Sequence, residues 1–282
     1  MGATAIIAGQ GALPGLVAQG VHAAGRRVIG IGLRGQYTDE FPSQCDAFIE
    51  AGFMQPGRWL KAARQHDVED AVLIGRVSKG LMHRKNRLGW LIREFPDLYI
   101  LNLWYRRLRH DHRSSVILST LADDLAQRGL TLVDSTTYLP EHLATEGVLT
   151  RTQPSASAQS DIEFGWPLLM HSSALHIGQA IAVRERDVIS VEAVEGTNAM
   201  IERTGKLCPR GGWTFLKTAG PDHDMRSDVP TIGLTTIQKA AEAGCSCITL
   251  GAGRVIIAEK PTVIAAADEA QIAIVGVNPE SV

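Results

Sequence analysis

The opening stretch, "TAIIAGQGALPGLVAQGVHAAGRRVIGIGL" (residues 4–33), constrains the fold more than any other part of the chain. An apolar run, a turn with two glycines, a helical period closing on Gly25 and a second apolar run spell strand, turn, helix, strand. Two strands joined through a helix are parallel, with a right-handed crossover. Pro14 suits the first helical turn, where its missing N–H costs nothing, and Gly25 suits the position just past the helix end. A strand-like "AVLIG" at 71–75, an amphipathic stretch near 114–128 and "LTLVDST" at 130–136 continue the pattern. The first half therefore reads as a Rossmann-like, parallel-sheet α/β domain over 1–145.

Residues 146–160, "EGVLTRTQPSASAQS", are polar without a sustained hydrophobic period, and read as a linker. A helix around 161–176 follows, and then "QAIAVRERDVISVEAV", two alternating runs parted by Arg184 to Asp187, an expected antiparallel hairpin. "WTFLKT", a helix near 236–243, "SCITL", a helix in "TVIAAADEA" and "IAIVGV" complete a second, mixed α/β domain over 161–282, expected to be the catalytic one. The fold class is α/β in two layers of domain, with a ligand cleft expected between them.

Formal charge decides which partners are excluded. At a net charge of -2 the chain has no bulk attraction for nucleic acid, so any such contact is local. Four cysteines without a C-x-x-C pair, and an N-terminus lacking a basic region, fit a reduced cytoplasmic compartment. A homo-oligomer is compatible with the same composition. Cys245 and Cys247 alternate on an expected strand and are read as facing one side as small apolar residues.

Local charge is another matter. "MHRKNRLGWLIREFPDLYILNLWYRRLRHDHR" (82–113) sets eight Lys and Arg against three acids, with Trp90, Tyr99, Trp104 and Tyr105 among them. Basic and aromatic residues together suit a membrane interface or, a distant third reading, a nucleic acid. The competing and preferred reading is an ordinary packed helix face, because Leu98, Leu101, Trp104, Tyr105 and Leu108 recur at helical spacing. The histidine pairs His110/His112 and His171/His176 do not have the spacing of two ligands on one helix face.

Chemistry is expected at three places. The turn Gly9, Gln10, Gly11, Ala12, Leu13 aims backbone N–H groups and a helix dipole at an anion. It is a partial dinucleotide fingerprint, and Arg34 near the end of the second strand suits the extra phosphate of NADP, so a reductase is one alternative. Further on, Glu195, Gly196, Thr197 and Asn198 open a helix, with Thr197 expected as its N-cap. Finally Lys217 ends a strand, and Asp224, Arg226 and Asp228 follow in alternation before Pro230. Proline biases the preceding residue towards extended backbone, which predicts all three charges on one face, held by a capping box of Thr235 and Gln238. A surface row of ion pairs is the plain account. Two fixed carboxylates beside Lys and Arg also suit a hard cation and a phosphate ester, so phosphoryl chemistry with Mg²⁺ or Mn²⁺ is the functional account.

These residues carry a resemblance. "IIAGQGALPGLVA", "HIGQAIAV", "VEAVEGTNAMIERTG", "FLKTAGPDHDMRSDVPTIGLTTI" and "VIAAADE", in that order, resemble the LpxI-type UDP-2,3-diacylglucosamine pyrophosphatases of Gram-negative lipid A synthesis. The resemblance implies a two-domain, metal-dependent cytoplasmic enzyme that cleaves the pyrophosphate of UDP-2,3-diacylglucosamine to UMP and 2,3-diacylglucosamine 1-phosphate. It places the family's R-x-D-x-P aspartate on Asp228, an acidic position on Asp224, and the E-G-T loop on Glu195 to Thr197. Asp228 and Asp224 are then the metal ligands, with Lys217 and Arg226 beside them. Gly9, Gly11, Ala12, Leu13, Gly75, Glu195, Gly196, Thr197, Asn198 and Thr231 would contact the lipid-linked UDP-sugar. Asn198, His223 and Arg76 stand where the family commonly has Asp, Gln and Asn. Peripheral contact with the inner membrane follows from a lipid substrate. A noncatalytic membrane-surface protein is the remaining alternative.

Overall fold

A computed structural model describes residues 2–77, 95–110, 113–226 and 228–280. The basic segment at 82–94 and the pair Asp111, His112 therefore lie outside the described residues. The chain forms two compact units, one of Met1–Leu139 with Asp224–Asp228, the other of Pro140–His223 with Val229–Val282.

In the first unit β1 (Ala3–Ala8), β2 (Arg27–Leu33), β3 (Ala47–Ala51), β4 (Val68–Ile74) and β5 (Thr131–Leu132) form one parallel sheet in the order β3-β2-β1-β4-β5. Every residue of β1 is buried, as an apolar strand covered on both faces requires. Helix α1 (Leu13–Ala23) carries Pro14 in its first turn and Gly25 beyond its end, as the sequence indicates. Two elements escape the sequence reading, β3 and α2 (Pro56–Gln65). Trp59 and Leu60 of α2 join Ile7, Ile31, Leu33 and Leu73 of the sheet in the core, together with Leu121 and Leu125 of α4 (Ser114–Gln127).

The short helix α3 (Leu98–Leu103) runs into a π-helical turn at Trp104–Leu108. Here the packed-face expectation holds for Leu108 and fails for the other four residues. Ile100, Leu103 and Leu108 are buried, whereas Leu98, Leu101, Trp104 and Tyr105 point outward. The spacing is right for a helix, but a short helix in an apolar-rich sequence has two candidate stripes, and α2 and α4 cover the other one.

In the second unit six strands follow the order β6-β13-β11-β9-β7-β8. Strands β9 (Trp213–Lys217), β11 (Cys245–Gly251) and β13 (Ala273–Val277) are parallel, while β7 (Ala180–Arg184), β8 (Asp187–Val191) and β6 (Gly147–Val148) add antiparallel pairs. The expected hairpin is present, its tight turn made by Glu185 and Arg186 at positive φ. Residues 146–160, read as a linker, carry β6 and the first turn of α5 (Ala156–Ala174), which Ser155 caps through the Ala158 N–H.

One face of this sheet buries Trp213, Phe215, Ile248 and Ile274 against α6 (Thr197–Leu207), α7 (Leu234–Glu242) and α8 (Lys260–Glu269). The other face packs Ile181, Val183 and Leu216 on Trp166 and Leu169 of α5. A register shift between Cys245 and Cys247 corrects the expectation that both thiols face one side: Cys245 joins the first cluster and Cys247 packs with Ala158 and Ile162 of α5. A parallel pair, β10 (Thr231–Ile232) and β12 (Ile256–Ile257), lies outside this sheet.

Candidate functional site

The strand order of the first unit reverses direction at β1, with β2 on one side and β4 on the other, so the carboxyl ends of β1 and β4 border the switch point where open α/β sheets bind ligands. Gly9 follows β1 and Gly75 follows β4. The Gly9 N–H donates to Ile74 at 2.8 Å, and Gln10 and Arg76 exchange backbone hydrogen bonds at 2.9 Å. This zipper needs glycine on both sides. A Cβ on Gly9 would lie 2.7 Å from the Gly75 carbonyl carbon, and one on Gly75 would lie 2.7 Å from that of Gly9. Gly75 is also at φ +96°, where a side chain is strained. Gly11, at φ +102°, has open space where its Cβ would be. Ala12 precedes α1 with no side chain capping the first turn, and no acid lies in that turn, so the N–H groups around Leu13 remain suited to an anion. Gly9, Gly11, Ala12, Leu13 and Gly75 thus come together.

The acidic segment is attached to the same end of the sheet. Ser135 donates its N–H to the Met225 carbonyl at 3.0 Å and its hydroxyl to the Leu73 carbonyl of β4 at 2.9 Å. Asp224 and Arg226 form a two-point pair, with Nε to Oδ1 at 2.9 Å and Nη2 to Oδ2 at 2.7 Å, and the Arg226 N–H also donates to Oδ1 at 3.1 Å. Arg226 reaches Asp123 of α4 at 2.9 Å as well. The hydrogen bonds that Arg226 donates to Asp224, and then the Asp123 carboxylate, hold the guanidinium pKa above its ordinary value.

Two sequence expectations need correction. The Asp224–Asp228 run is not extended: Met225 and Arg226 form a turn closed by the Asp224 carboxylate, a local preference of aspartate that outweighs the proline's influence. Helix α7 starts two residues earlier than the expected box implies. Its N-cap is Gly233, whose N–H donates to Thr236 Oγ1 at 3.4 Å, so Thr235 and Gln238 do not cap it. Asp228 presents an exposed carboxylate.

The E-G-T loop in the second unit is built from side chains. Gly196, not Thr197, is the N-cap of α6. Thr197 is instead turned inward, donating to Glu192 Oε1 at 2.6 Å and accepting from Lys217 Nζ at 2.9 Å. Lys217, only 4% exposed, also pairs with Glu192 Oε2 at 3.3 Å. Glu195 accepts from Arg203 at 2.5 Å, and its own backbone N–H and that arginine draw its pKa below the usual carboxylate range. Asn198 lies in the first turn of α6. Thr231 donates to the Val229 carbonyl at 3.0 Å. Glu192 is the residue that sequence reasoning missed. Its signal was indirect: a lysine closing the apolar strand "WTFLK" requires a buried acid.

The comparisons with known proteins bear on this geometry. The LpxI N-terminal domain model matches residues 3–142, and the LpxI C-terminal domain model matches residues 145–275. The chain belongs to the LpxI family. It is 29% identical to the UDP-2,3-diacylglucosamine pyrophosphatase LpxI of Caulobacter vibrioides over 98% of this chain and 97% of that protein. In this LpxI-family chain Arg34, which suggested an NADP phosphate, donates to Glu50 at 2.9 Å. His171 donates to its own helix at the Pro167 carbonyl, 2.7 Å away. Among the described residues no helix is long and apolar enough to cross a membrane.

Proposed function

We propose that this LpxI-family enzyme hydrolyses the pyrophosphate bond of UDP-2,3-diacylglucosamine to UMP and 2,3-diacylglucosamine 1-phosphate in lipid A biosynthesis. The single observation that carries the reading is the match of both LpxI domain models to consecutive stretches of the chain. The geometry supports it: the first unit gathers an anion-receptive turn and the family's Asp228 segment at one end of one sheet.

The diphosphate needs positive charge before water attacks phosphorus. The N–H groups at Gly11 to Leu13 would receive one phosphate, and Arg226, fixed by Asp224 and Asp123, would face the developing charge from a held position. Both oxygens of Asp224 accept from Arg226, so its first role is to hold the guanidinium, with lone pairs left for a cation. Asp228 offers an exposed carboxylate. Among the described residues no group of three or more His, Cys, Asp or Glu comes together, yet Mg²⁺ commonly takes one or two carboxylates and completes its shell with water and phosphate oxygens. Asp228 would therefore hold Mg²⁺ or Mn²⁺, which supplies Lewis-acid neutralisation of the diphosphate. Lys217 and Glu192 keep the Glu195–Asn198 loop in shape through Thr197. The proposed location is the cytoplasmic side, with peripheral contact at the inner membrane where a diacylated substrate resides.

UMP release from UDP-2,3-diacylglucosamine, measured with and without EDTA, tests this. The expected result is loss of turnover with EDTA, recovery with added Mg²⁺ or Mn²⁺, and at least a roughly hundredfold lower kcat in Asp228→Asn with an unchanged melting temperature. Full turnover in EDTA would remove the metal, and full turnover in Asp228→Asn would remove that residue's role.

A further inference from the structure

Helix α3 and the π-helical turn after it have one side in the core and one side in water. Inside, Ile100, Leu103 and Leu108 are buried, the Tyr99 hydroxyl donates to Asp124 at 2.5 Å, and the Arg128 guanidinium lies 4.8 Å from the Tyr99 ring centre. Outside, Leu98 is 86% exposed, Tyr105 65%, Phe95 62% and Trp104 50%. Leu101 is exposed as well, so the outward positions 98, 101 and 104–105 succeed one another at helical spacing. Scattered exposed leucines need no explanation, but a contiguous stripe of leucine and large aromatics does.

The charge around the stripe indicates what covers it. Arg106, Arg107 and Arg109 are exposed on the same turn, with Arg109 5.0 Å from the Tyr105 ring centre. A cleft of about 430 Å³ lined by Gly57, Leu60, Lys61, Arg64, Gln65 and Arg128 borders the helix. It is joined to α3 where the Gly57 N–H donates to Asp97 at 2.7 Å and where Arg128 stacks on Tyr99. Among the described residues, Asp97 caps α3 and Asp124 is bound to Tyr99 and Arg128. Cations thus flank an apolar, aromatic stripe. Tryptophan and tyrosine favour the headgroup level of a bilayer, and arginine can place its charge on phosphate while its stem lies along acyl chains.

The geometry points to an anionic membrane surface as the partner of this face, with Leu98, Leu101, Trp104 and Tyr105 entering the interface and Lys61, Arg64, Arg106 and Arg109 meeting lipid phosphates. The inference rests on the reading of a lipid-linked substrate for its purpose, since docking here would bring the active unit to the bilayer from which a diacylated substrate must be drawn. Its physical basis is separate.

Sedimentation of the full chain with vesicles tests it, using vesicles without substrate so that hydrolysis plays no part. Vesicles of equal parts phosphatidylglycerol and phosphatidylcholine should carry the protein down, and pure phosphatidylcholine should not. Raising salt to about 0.5 M should release it, because screening then acts over only a few ångströms. Leu101→Asp/Trp104→Asp should abolish binding, and Arg106→Glu/Arg109→Glu should weaken it by more than tenfold, at roughly fivefold for each cation lost. Should the first variant unfold, the second carries the test, together with a blue shift of emission on vesicle addition that Trp104→Phe removes. Absence of vesicle binding, equal binding by the charge-reversal variant, or a concentration-dependent dimer that the variants dissociate would overturn the proposal. Turnover of detergent-dispersed UDP-2,3-diacylglucosamine by the wild-type protein reports on the enzymatic reading independently.

Discussion

The two units build their loops from different material. At the carboxyl ends of β1 and β4 the first unit uses backbone, two glycines in contact and an uncapped helix start, with no side chain needed to shape the turn. At the carboxyl ends of β8 and β9 the second unit uses side chains, a buried carboxylate, hydroxyl and ammonium that fix the loop before α6. A backbone-built turn is sensitive to the addition of atoms and indifferent to charge. A side-chain knot is sensitive to the loss of one member, because the remaining partners are left buried without compensation.

The sharpest separation comes from Lys217→Met. It keeps the length and apolar stem but leaves Glu192 buried beside Thr197, and should cost about 3–5 kcal/mol by chemical denaturation. Lys217→Met/Glu192→Gln should recover about half of that loss, since no unpaired charge remains. A double variant no more stable than the single one would show that the ammonium contributes by packing alone.

The first unit should answer to a different kind of change. Gly75→Ala adds one methyl group against the Gly9 backbone in a positive-φ position and should destabilise by about 2–3 kcal/mol. Gly11→Ala, at similar φ but with open space, should cost only about 1 kcal/mol and act mainly on substrate affinity. Equal thermal shifts for the two would mean that strain, and not the close approach of the two turns, sets the requirement for glycine.

Legibility from sequence followed the same division. The βαβ opening, the hairpin at Arg184–Asp187 and the two-domain α/β class were readable because period and turn chemistry are local signals. The close pairing of Gly9 with Gly75 was not, since it depends on strands far apart in sequence lying side by side. The Asp224–Asp228 run stands out in the sequence as a special segment, but its conformation does not follow from Pro230, because Asp224 closes a turn on itself. Thr197 was misplaced as a cap for a similar reason, its hydroxyl being claimed by the buried pair. The exposed face of α3 was readable as helical but not as outward, because which of two apolar stripes meets the core is decided by where α2 and α4 lie.

Asp124 tests whether the packing of α3 in the first unit depends on a charged side chain. Desolvation alone would raise its pKa, but the hydrogen bonds from Tyr99 and Arg128 outweigh it and draw the carboxyl below its ordinary value. Burial and the same carboxylate push the Tyr99 phenol up, keeping it a donor at neutral pH. A depressed carboxyl contributes stability that is fully present above its unfolded value, about 3.9, and is lost as pH falls through the folded value. Asp124→Asn should therefore cost about 2 kcal/mol at pH 7, and the difference from wild type should shrink towards zero below about pH 3.9. Hydrogen exchange at Ile100 and Leu103 should quicken in the variant at neutral pH, because Tyr99 fastens α3 to α4 through this one acid. A difference that stays constant with pH would assign the loss to packing and not to the charge of Asp124.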